Sequence, residues 1–317
     1  MTTSAPPAIA ATGLRKSYGD HVVLDGIDLA VAPGTIFALL GPNGAGKTTT
    51  VQILSTLIPA DDGVARVAGH DVTRDADSVR AVIGVTGQFA AVDGLLTGAE
   101  NLLLMADLHH LDRAEGRRRT RELLARFDLV DAADKTAATY SGGMRRRLDL
   151  AMGLIGAPRV LFLDEPTTGL DPRSRREVWR IVRDLVADGM TVFLTTQYLE
   201  EADQLADRVA VLDHGRLIAE GTPDELKRLV PGGHIALRFT DPANRAAAES
   251  LLGGVPGADE LTLQVPGDGG VASLRALLDR LDDASIGVES LAVHTPDLDD
   301  VFLALTNQPT EEKVALP

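Results

Sequence analysis

Apolar residues fill the interior of three short runs in the chain. These runs are Ile36–Leu40, Val160–Asp164 and Thr191–Thr195. A strand that is apolar on both faces is covered on both faces, as in a parallel sheet flanked by helices. The pattern therefore predicts an α/β core in which the three runs are buried strands.

A second kind of strand is predicted near the start of the chain. Ile27, Leu29 and Val31 alternate with less apolar residues, which is the period of a half-exposed strand. Residues 8–32 are predicted to form two such strands around a turn at 18–21. The other predicted strands lie at 64–68 and 82–86 and in a hairpin at 209–220.

Helical patterns occupy most of the remaining chain. The predicted helices lie at 47–57, at 173–188, at 224–230 and over most of 98–157, which includes a helix at 113–127. Strands followed by helices in this way are typical of a doubly wound sheet.

The pattern changes after a linker at 231–233. Strands are predicted at 235–239, 261–265 and 288–293, and helices at 243–252, 271–281 and 298–305. We therefore expect a flexible tail at 1–7, a main domain at 8–230 and a helical subdomain within it at about 89–157. A small α+β accessory domain at 231–307 and a flexible tail at 308–317 complete the predicted organisation.

The composition limits the classes of function. The chain has 317 residues, 44% of them apolar, a net charge of −15 and no cysteine. Without cysteine no disulfide or thiolate metal site is possible, which suits a reducing cytosol. So acidic a chain is a poor non-specific binder of nucleic acid, because phosphate contacts need a basic surface. No apolar run approaches the ~18 residues of a membrane-spanning helix, and the first residues lack the features of a secretion signal.

A phosphate-binding loop is predicted between the first buried run and the helix after it. The segment 41–48 has the pattern Gly-x-x-x-x-Gly-Lys-Thr, whose backbone N–H groups and following helix N-terminus attract phosphate. Lys47 is predicted to reach the β- and γ-phosphates, and the Thr48 hydroxyl to ligate Mg²⁺. The predicted phosphate contacts are Gly41, Asn43, Gly44, Ala45, Gly46, Lys47, Thr48 and Thr49. The alternative is a glycine-rich turn without a ligand.

Two carboxylates end the second buried run. Asp164 at this position can hold Mg²⁺, and Glu165 can act as general base for the water that attacks the γ-phosphorus. The alternative is a strand that simply ends in polar residues.

Glutamines follow two other predicted strands. The carboxyl ends of parallel strands meet at one edge of a sheet. Gln88 is therefore a candidate to reach the metal ion or the attacking water, and Gln197 a candidate to face the γ-phosphate. Otherwise both are ordinary loop residues.

Three further features each keep two interpretations. Tyr18 either stacks on an adenine ring or caps the sheet as a turn residue. Ser141 is a suitable helix N-cap, and the two glycines after it suggest either close approach of a phosphate or a flexible helix start. The run Arg117–Arg119 is either a patch for nucleic acid or another partner, or a solvated helix face, which the acidic chain favours.

Together these motifs resemble the ATP-binding cassette of ABC transporters over roughly residues 8–230. The motifs that carry the resemblance are the segment 41–48, Gln88, Ser141-Gly142-Gly143, Asp164-Glu165 and Gly169-Leu170-Asp171. The segments 85–93, 140–144, 195–199 and 298–303 are similar to the drug-export ATPases of the daunorubicin/doxorubicin-resistance type.

The resemblance implies a fold and roles for single residues. The expected fold is an α/β P-loop core with an antiparallel β subdomain and a helical subdomain, followed by a small C-terminal α+β domain. Tyr18 becomes the adenine-stacking residue. Ser141, Gly142 and Gly143 become contacts to the γ-phosphate of an ATP held by a second copy, and Asp171 helps align the two sites.

The resemblance also implies cofactors and partners. These are ATP and Mg²⁺, a second copy of the chain and a separate integral membrane permease, with no nucleic acid. The chain would then lie peripherally on the cytoplasmic face of the membrane and power export of a small amphipathic compound. The alternatives are a soluble cassette that acts on nucleic acid or ribosomes, and a catalytically inactive nucleotide-binding scaffold.

One catalytic position departs from most cassettes. Gln197 stands where most have His, and Tyr140 and Met144 stand where most have Leu and Gln, as is usual in the drug-resistance subfamily. Gln197 can donate a hydrogen bond to the γ-phosphate. Because it cannot become cationic, we expect it to stabilise transition-state charge less than a protonated His would.

Overall fold

The computed structural model describes residues 6–88, 90–230, 233–257, 259–267, 270–294 and 296–306. The chain divides into two compact units, residues 1–223 and 224–317. The boundary expected from the sequence, at residue 230, lies slightly further along the chain than the boundary between these two units. The functional extent of each domain stays a prediction.

The strands of the first unit are β1 (Ile9–Tyr18), β2 (His21–Val31), β3 (Ile36–Leu40), β4 (Asp62–Val67), β5 (His70–Asp71), β6 (Ile83–Thr86), β7 (Val160–Asp164), β8 (Thr191–Thr196), β9 (Arg208–Asp213) and β10 (Arg216–Gly221). Its helices are α1 (Lys47–Leu54), α2 (Ala76–Arg80), α3 (Gly98–Leu108), α4 (Arg113–Arg126), α5 (Gly142–Gly153), α6 (Pro172–Ala187) and α7 (Leu199–Leu205), and α8 (Pro223–Lys227) follows at the boundary.

Within the described part of this unit, the larger sheet has the order β10-β9-β3-β8-β7-β6. Its strands are parallel except β10, which pairs antiparallel with β9. β3, β7 and β8 are buried at every position, as their apolar pattern predicts. The register pairs Leu40 with Thr196 and Asp164 with Thr195, so the loops after these three strands begin side by side.

The smaller sheet is antiparallel and has the order β2-β1-β4-β5 in the described residues. Its inner face shares one hydrophobic core with the larger sheet, in which Ile9 and Ile27 pack together with Phe37. The ring of Phe193 lies 5.5 Å from that of Phe37 and 5.7 Å from that of Phe162. This aromatic row fixes the spacing of β3, β7 and β8 and therefore of the loops that follow them.

Capped helices form the region between β6 and β7. Thr97 and Glu100 form a capping box at the start of α3, and Asp112 accepts backbone N–H bonds at the start of α4. Ser141 caps α5, as the sequence predicts, by accepting from the N–H of Met144 at 3.2 Å. The described part of the chain contains no helix long and apolar enough to cross a membrane.

The second unit contains the strands β11 (His234–Arg238), β12 (Val255–Pro256), β13 (Thr262–Pro266) and β14 (Ser290–His294) and the helices α9 (Pro242–Leu252), α10 (Val271–Asp283) and α11 (Leu298–Thr306). Its described strands form an antiparallel sheet in the order β12-β13-β11-β14. Ile235, Leu237 and Phe239 lie at the centre of its separate core. The predicted α+β character of this region is confirmed.

Some boundaries differ from the sequence prediction. The helix expected at 47–57 ends at Leu54, because Thr56 has the left-handed backbone angle φ 66°. The helix expected at 224–230 is the shorter α8. The pattern missed the short elements α2, α7, β5 and β12. Most of the two predicted flexible tails and the expected start of the helical subdomain at residue 89 lie outside the described residues.

Candidate active site

The phosphate-loop pattern begins directly after β3 and ends in the first turn of α1. Gly46 has φ 110° and precedes α1. A Cβ at this position would lie 2.6 Å from Leu24 Cδ2, so only glycine fits. The first N–H groups of α1 have no acceptor within the helix, which leaves them available to an anion. Lys47 Nζ donates to the carbonyl oxygens of Gly41 at 2.8 Å and Pro42 at 3.1 Å, which holds its charge over the loop.

Asp164 connects this loop to the end of β8. Thr48 Oγ1 donates to Asp164 Oδ2 at 2.9 Å, and Thr195 Oγ1 donates to Asp164 Oδ1 at 2.5 Å. The carboxylate is 5% exposed. Its two oxygens are therefore fixed from opposite sides, with one of them directed at the hydroxyl that begins α1.

Glu165 leaves the strand in an unusual backbone conformation. Its φ is 47°, a left-handed backbone angle that costs a non-glycine residue about 1–3 kcal/mol. Its N–H donates to the Thr195 carbonyl at 3.1 Å. Oε1 lies 3.4 Å from Lys47 Nζ, and Oε2 accepts from Thr168 Oγ1 at 3.2 Å and Gln88 Nε2 at 3.4 Å. The strained turn brings the carboxylate back over the phosphate loop.

These groups border a cavity of about 450 Å³. Its lining residues are His21, Val23, Asn43, Gly44, Gly46, Lys47, Thr48, Thr49, Gln88 and Glu165. The structure thus brings together the ends of β3, β6 and β7, which the sequence predicts to meet. Asp164 lies just behind the lining through its bond to Thr48.

The other predicted site residues do not line this cavity. They are Tyr18, Gly41, Ala45, Ser141, Gly142, Gly143, Asp171 and Gln197. Gly41 and Ala45 belong to the loop itself and are buried beneath it. Gln197 immediately follows β8 and is partly buried.

Tyr18 lies at the edge of the cavity region. It pairs with His21 across the turn between β1 and β2 and is 52% exposed. Lys16 Nζ lies 5.6 Å from the centre of its ring. Its ring is open to solvent, while its neighbour His21 contributes to the cavity wall.

The two glycines at the start of α5 have different surroundings, and only one of them is required by packing. A Cβ at Gly143 would lie 2.5 Å from Ser174 Oγ, so packing against α6 requires glycine there. A Cβ at Gly142 would have Leu170 Cδ2 as its nearest neighbour at 3.9 Å, which is an ordinary contact. The interpretation that an approaching phosphate explains both glycines is therefore unnecessary for Gly143 and remains a prediction for Gly142.

Asp171 caps α6 within its own chain. Its Oδ1 accepts from the N–H groups of Arg173 and Ser174, and its Oδ2 accepts from Ser174 Oγ at 2.7 Å. The bonds from Ser174 in particular lower the pKa of this carboxyl. Asp171 and Gly143 therefore meet at the same serine.

Sequence reasoning missed several residues that shape the site. His21 and Val23 of β2 line the cavity, Thr195 bonds to the Asp164 carboxylate and to the backbone N–H of Glu165, and Thr168 bonds to the Glu165 carboxylate. Thr195 could have been predicted as a site residue, because it ends a buried strand next to the strand that ends in Asp164. His21 carries no comparable signal, because its approach depends on how two sheets pack.

A buried carboxyl lies behind the site. Glu201 of α7 is fully buried, and its Oε1 accepts from Thr167 Oγ1 at 2.9 Å and Trp179 Nε1 at 3.0 Å. Burial raises the pKa of this group. Thr167 lies in the loop between Glu165 and Asp171, so Glu201 braces the segment that joins them.

Comparison with known proteins places this geometry in a family. A family model described as ABC transporter matches residues 24–168. The chain is 54% identical over 314 residues to the daunorubicin resistance ATP-binding protein DrrA2 of Streptomyces coeruleorubidus, covering 97% of this chain and 98% of the relative. It is 50% identical over 319 residues to the daunorubicin/doxorubicin resistance ATP-binding protein DrrA of Streptomyces peucetius, with 99% and 96% covered.

The fold is also similar to solved structures. One is the dimeric ATP-binding cassette MJ0796 in a post-hydrolysis state bound to ADP and Pi. It is 25% identical, with a TM-score of 0.61, and the match covers 68% of this chain and 98% of that one. The predicted P-loop ATPase fold is thereby confirmed.

Proposed function

Because the chain belongs to the daunorubicin/doxorubicin-resistance family of ABC transporter ATP-binding proteins, we propose that it powers export of a small amphipathic compound of drug or antibiotic type. It is an ABC-type ATPase subunit. The compound passes through a separate membrane permease, and the chain lies on the cytoplasmic face of that membrane.

The assembly of one catalytic pocket carries this proposal. We define the catalytic pocket as Lys47, Thr48, Gln88, Asp164 and Glu165. These residues come from three segments of the chain, yet direct contacts of 2.9–3.4 Å join them. Such convergence of a cation, a hydroxyl and two carboxylates on a phosphate loop suits phosphoryl transfer to water.

Each member of the pocket has a role in ATP hydrolysis. Lys47 moves its charge from the loop carbonyls to the β- and γ-phosphates of bound ATP. Glu165 accepts the proton of the attacking water, and Gln88 orients that water through the contact it already makes with Glu165. Buried groups gain electrostatic strength from the low local dielectric, and both Lys47 and Glu165 are less than a tenth exposed.

The donor set beside the loop fits Mg²⁺. Thr48 Oγ1 and Asp164 Oδ2 are hard oxygen ligands 2.9 Å apart, and Gln88, which lines the same cavity as Thr48, carries an amide oxygen that could serve as a further ligand. Mg²⁺ prefers such oxygens together with phosphate oxygens and water. When bound, the ion would neutralise charge on the transferring phosphoryl group.

The pocket lacks one wall, which a second copy supplies. We define the signature face as Ser141, Gly142 and Asp171, which are all exposed. It presents a capped helix N-terminus, which favours contact with anionic oxygen. In a head-to-tail homodimer, Ser141, Gly142 and Gly143 would contact the γ-phosphate in the partner copy. The dimeric state of a solved cassette with the same fold supports this arrangement.

Two further residues complete the proposed nucleotide site. Tyr18 stacks on the adenine ring, for which its exposure and its place beside the cavity-lining His21 are suitable. Gln197 donates a hydrogen bond to the γ-phosphate from the end of β8. It adds no positive charge there, so we expect slow turnover until the permease and its compound are present.

The test is an ATP-trapped dimer. In Glu165→Gln the base is lost, so we expect kcat to fall by about 10²- to 10⁴-fold while ATP binding remains. Light scattering with ATP and Mg²⁺ should then detect a stable dimer. The matched control is Glu200→Gln, an exposed carboxylate of α7 paired with Arg175, which should hydrolyse ATP like the wild type.

Lys47→Ala tests ATP binding itself. It removes the cation over the loop and should abolish both ATP binding and dimer formation. Lys135 is exposed, so Lys135→Ala serves as the control. This variant should keep both ATP binding and dimer formation. ATP turnover by Lys47→Ala at the wild-type rate, or a monomeric Glu165→Gln in the presence of ATP, would contradict the proposed function.

A further inference from the structure

Consecutive arginines at the start of α5 have different surroundings. Arg145 is exposed and donates to the carbonyl of Ala138 at 2.8 Å. Arg147 donates to the carbonyl of Phe127 at 3.0 Å. Arg146 instead is 6% exposed and points into the interior, toward the loops of the catalytic pocket.

Arg146 bonds to the backbone on both sides of that pocket. Its Nη1 donates to the carbonyl of Gly87 at 2.8 Å, directly before Gln88. Its Nε donates to the carbonyl of Pro166 at 2.7 Å, directly after Glu165, and its Nη2 lies 3.4 Å from the carbonyl of Asp164. One side chain thus links the backbone beside Gln88 to the backbone beside Glu165.

Asp149 completes the arrangement from one turn further along α5. Its Oδ2 accepts from Arg146 Nη1 at 3.0 Å, and its Oδ1 accepts from the N–H of Ala91 at 2.9 Å. It is 4% exposed. The loop that contains Gln88 is therefore attached to α5 at two points, residues 87 and 91.

The chemistry of these contacts requires a guanidinium group. Its planar fork carries five N–H donors and can bridge several carbonyl oxygens at fixed angles, whereas an ammonium group cannot reproduce that geometry. Burial lowers the pKa of Arg146 and raises that of Asp149, because desolvation disfavours both charges. The two charges are retained together because each compensates the other.

We propose that Arg146, held by Asp149, is a positioning residue that couples the signature face of a chain to that chain's own catalytic pocket. The inference rests on the proposed function, in which the N-terminus of α5 contacts the ATP of the partner copy. Closure on the partner's ATP moves α5 as a rigid element, and Arg146 transfers that movement to the backbone of Gln88 and Glu165. Each half of the dimer thereby senses whether the other site is occupied.

Arg146→Lys in the full-length chain tests this inference. The phosphate loop is untouched, so ATP affinity measured by calorimetry should stay within about threefold. Because a misplacement of about 1 Å can cost about 10²-fold, we expect kcat to fall by about 10- to 100-fold. The matched control Arg145→Lys changes a neighbouring exposed arginine and should leave kcat, KM and ATP affinity unchanged.

A second variant tests the inference if Arg146→Lys does not fold. Arg146→Gln combined with Asp149→Asn leaves no buried unpaired charge, so it should fold even if Arg146→Lys does not. Gln has too few donors to reach all of the carbonyls, so kcat should still fall. The unpaired carbonyls should lower the melting temperature, but unfolding should remain a single cooperative transition. Wild-type kcat in either folded variant would overturn the inference.

A double-mutant cycle identifies the route of the effect. If Arg146 acts through Gln88, then Arg146→Lys should reduce kcat much less in a Gln88→Ala background than in the wild type. If the two substitutions instead reduce kcat independently, so that their fold-changes multiply, the proposed route through Gln88 would be overturned. Failure of the proposed function would look different: the wild-type chain would neither bind nor hydrolyse ATP. The comparison of the wild type with Lys47→Ala detects that outcome separately.

Discussion

The catalytic pocket and the signature face hold their side chains in opposite ways. In the pocket, contacts join residues distant in sequence, such as Thr48 with Asp164 and Gln88 with Glu165. In the signature face, contacts are local: Ser141 caps the helix that begins at the next residue, and Asp171 bonds to residues two and three positions ahead. The pocket carboxylates are buried, while the signature face is exposed.

This difference indicates what each region needs in order to work. The geometry of the pocket is set by the sheet and its core, because its contacts join loops that follow neighbouring strands. The signature face is exposed, and the side chains of Ser141 and Asp171 bond to the first turns of the helices that they cap. We therefore expect changes in the pocket to affect chemistry directly, and changes in the signature face to act only when two copies meet.

Adjacent glycines give the strongest test of this comparison. Gly142→Ala has room in the fold, since its Cβ meets nothing closer than 3.9 Å, and alanine favours helix. We expect an unchanged or higher melting temperature. In the proposed dimer the added methyl group would face the partner's γ-phosphate, so kcat should fall by about 10- to 100-fold.

Gly143→Ala is the matched comparison for stability, with the opposite expected change in melting temperature. Its Cβ would overlap Ser174 Oγ, so overpacking should lower the free energy of unfolding by about 1–3 kcal/mol. Thermal denaturation and ATPase assays of both variants separate the two effects. If Gly142→Ala hydrolyses ATP at the wild-type rate, the signature face does not contact ATP.

Glu201 tests the segment that connects the two regions. Glu201→Ala leaves the Thr167 hydroxyl and the Trp179 N–H without their acceptor and opens a cavity, so the free energy of unfolding should fall by about 2–5 kcal/mol. Glu201→Gln keeps the accepting oxygen and should stay within about 1 kcal/mol of the wild type near neutral pH.

The raised pKa of Glu201 predicts the direction in which stability changes with pH. In a group whose pKa is higher in the folded than in the unfolded protein, the stabilising contribution is present at low pH and is lost as pH rises through the folded value. Wild-type stability in urea should therefore decline from about pH 5 upward more than that of Glu201→Gln. Equal pH dependence in the two proteins would show that Glu201 is ionised when buried.

The sequence predicted those parts of the site that one local pattern determines. The apolar runs identified β3, β7 and β8, and the polar residues after them identified Lys47, Asp164, Glu165 and Gln88. Parallel strands bring their carboxyl ends to one edge, so the convergence of these residues followed from the fold class.

Packing between distant segments was not predictable in this way. Nothing in the run Arg145–Arg147 distinguishes the buried arginine from its exposed neighbour, because the difference depends on which helix face meets the loops after β6 and β7. Likewise, the pattern predicts Gly143 as a contact to the partner's γ-phosphate, and only the position of Ser174 on α6 reveals that packing within the chain also requires glycine there. The short helix α7, which supplies Glu201, was missed for the same reason.

The smallest expected effect concerns the basic run Arg117–Arg119, which belongs to neither region. Arg118 bonds to Glu115 and Glu122 on the same helix, and its bonds are the main cause that lowers the pKa of Glu115 to about 2. This contribution to stability is present above the ordinary pKa of the carboxyl and is lost as pH falls toward the lowered value. Because the groups are exposed, salt screens it.

Arg118→Gln should therefore lower stability only slightly near neutral pH, and the difference should vanish at about 1 M salt, where the Debye length is about 3 Å. ATPase activity should not change. Arg117→Gln is the control, since the described residues give Arg117 no ion pair, and it should be neutral in both measurements. Arg117 and Arg118 are exposed, whereas Arg119 is partly buried and bonds to Glu115 and to the carbonyl of Ile155. Because the chain is acidic and two exposed arginines make a small basic surface, RNA should stimulate the ATPase activity of neither the wild type nor the variants. RNA-stimulated ATPase that Arg117→Gln or Arg118→Gln abolishes would instead support the alternative of a nucleic-acid-directed switch.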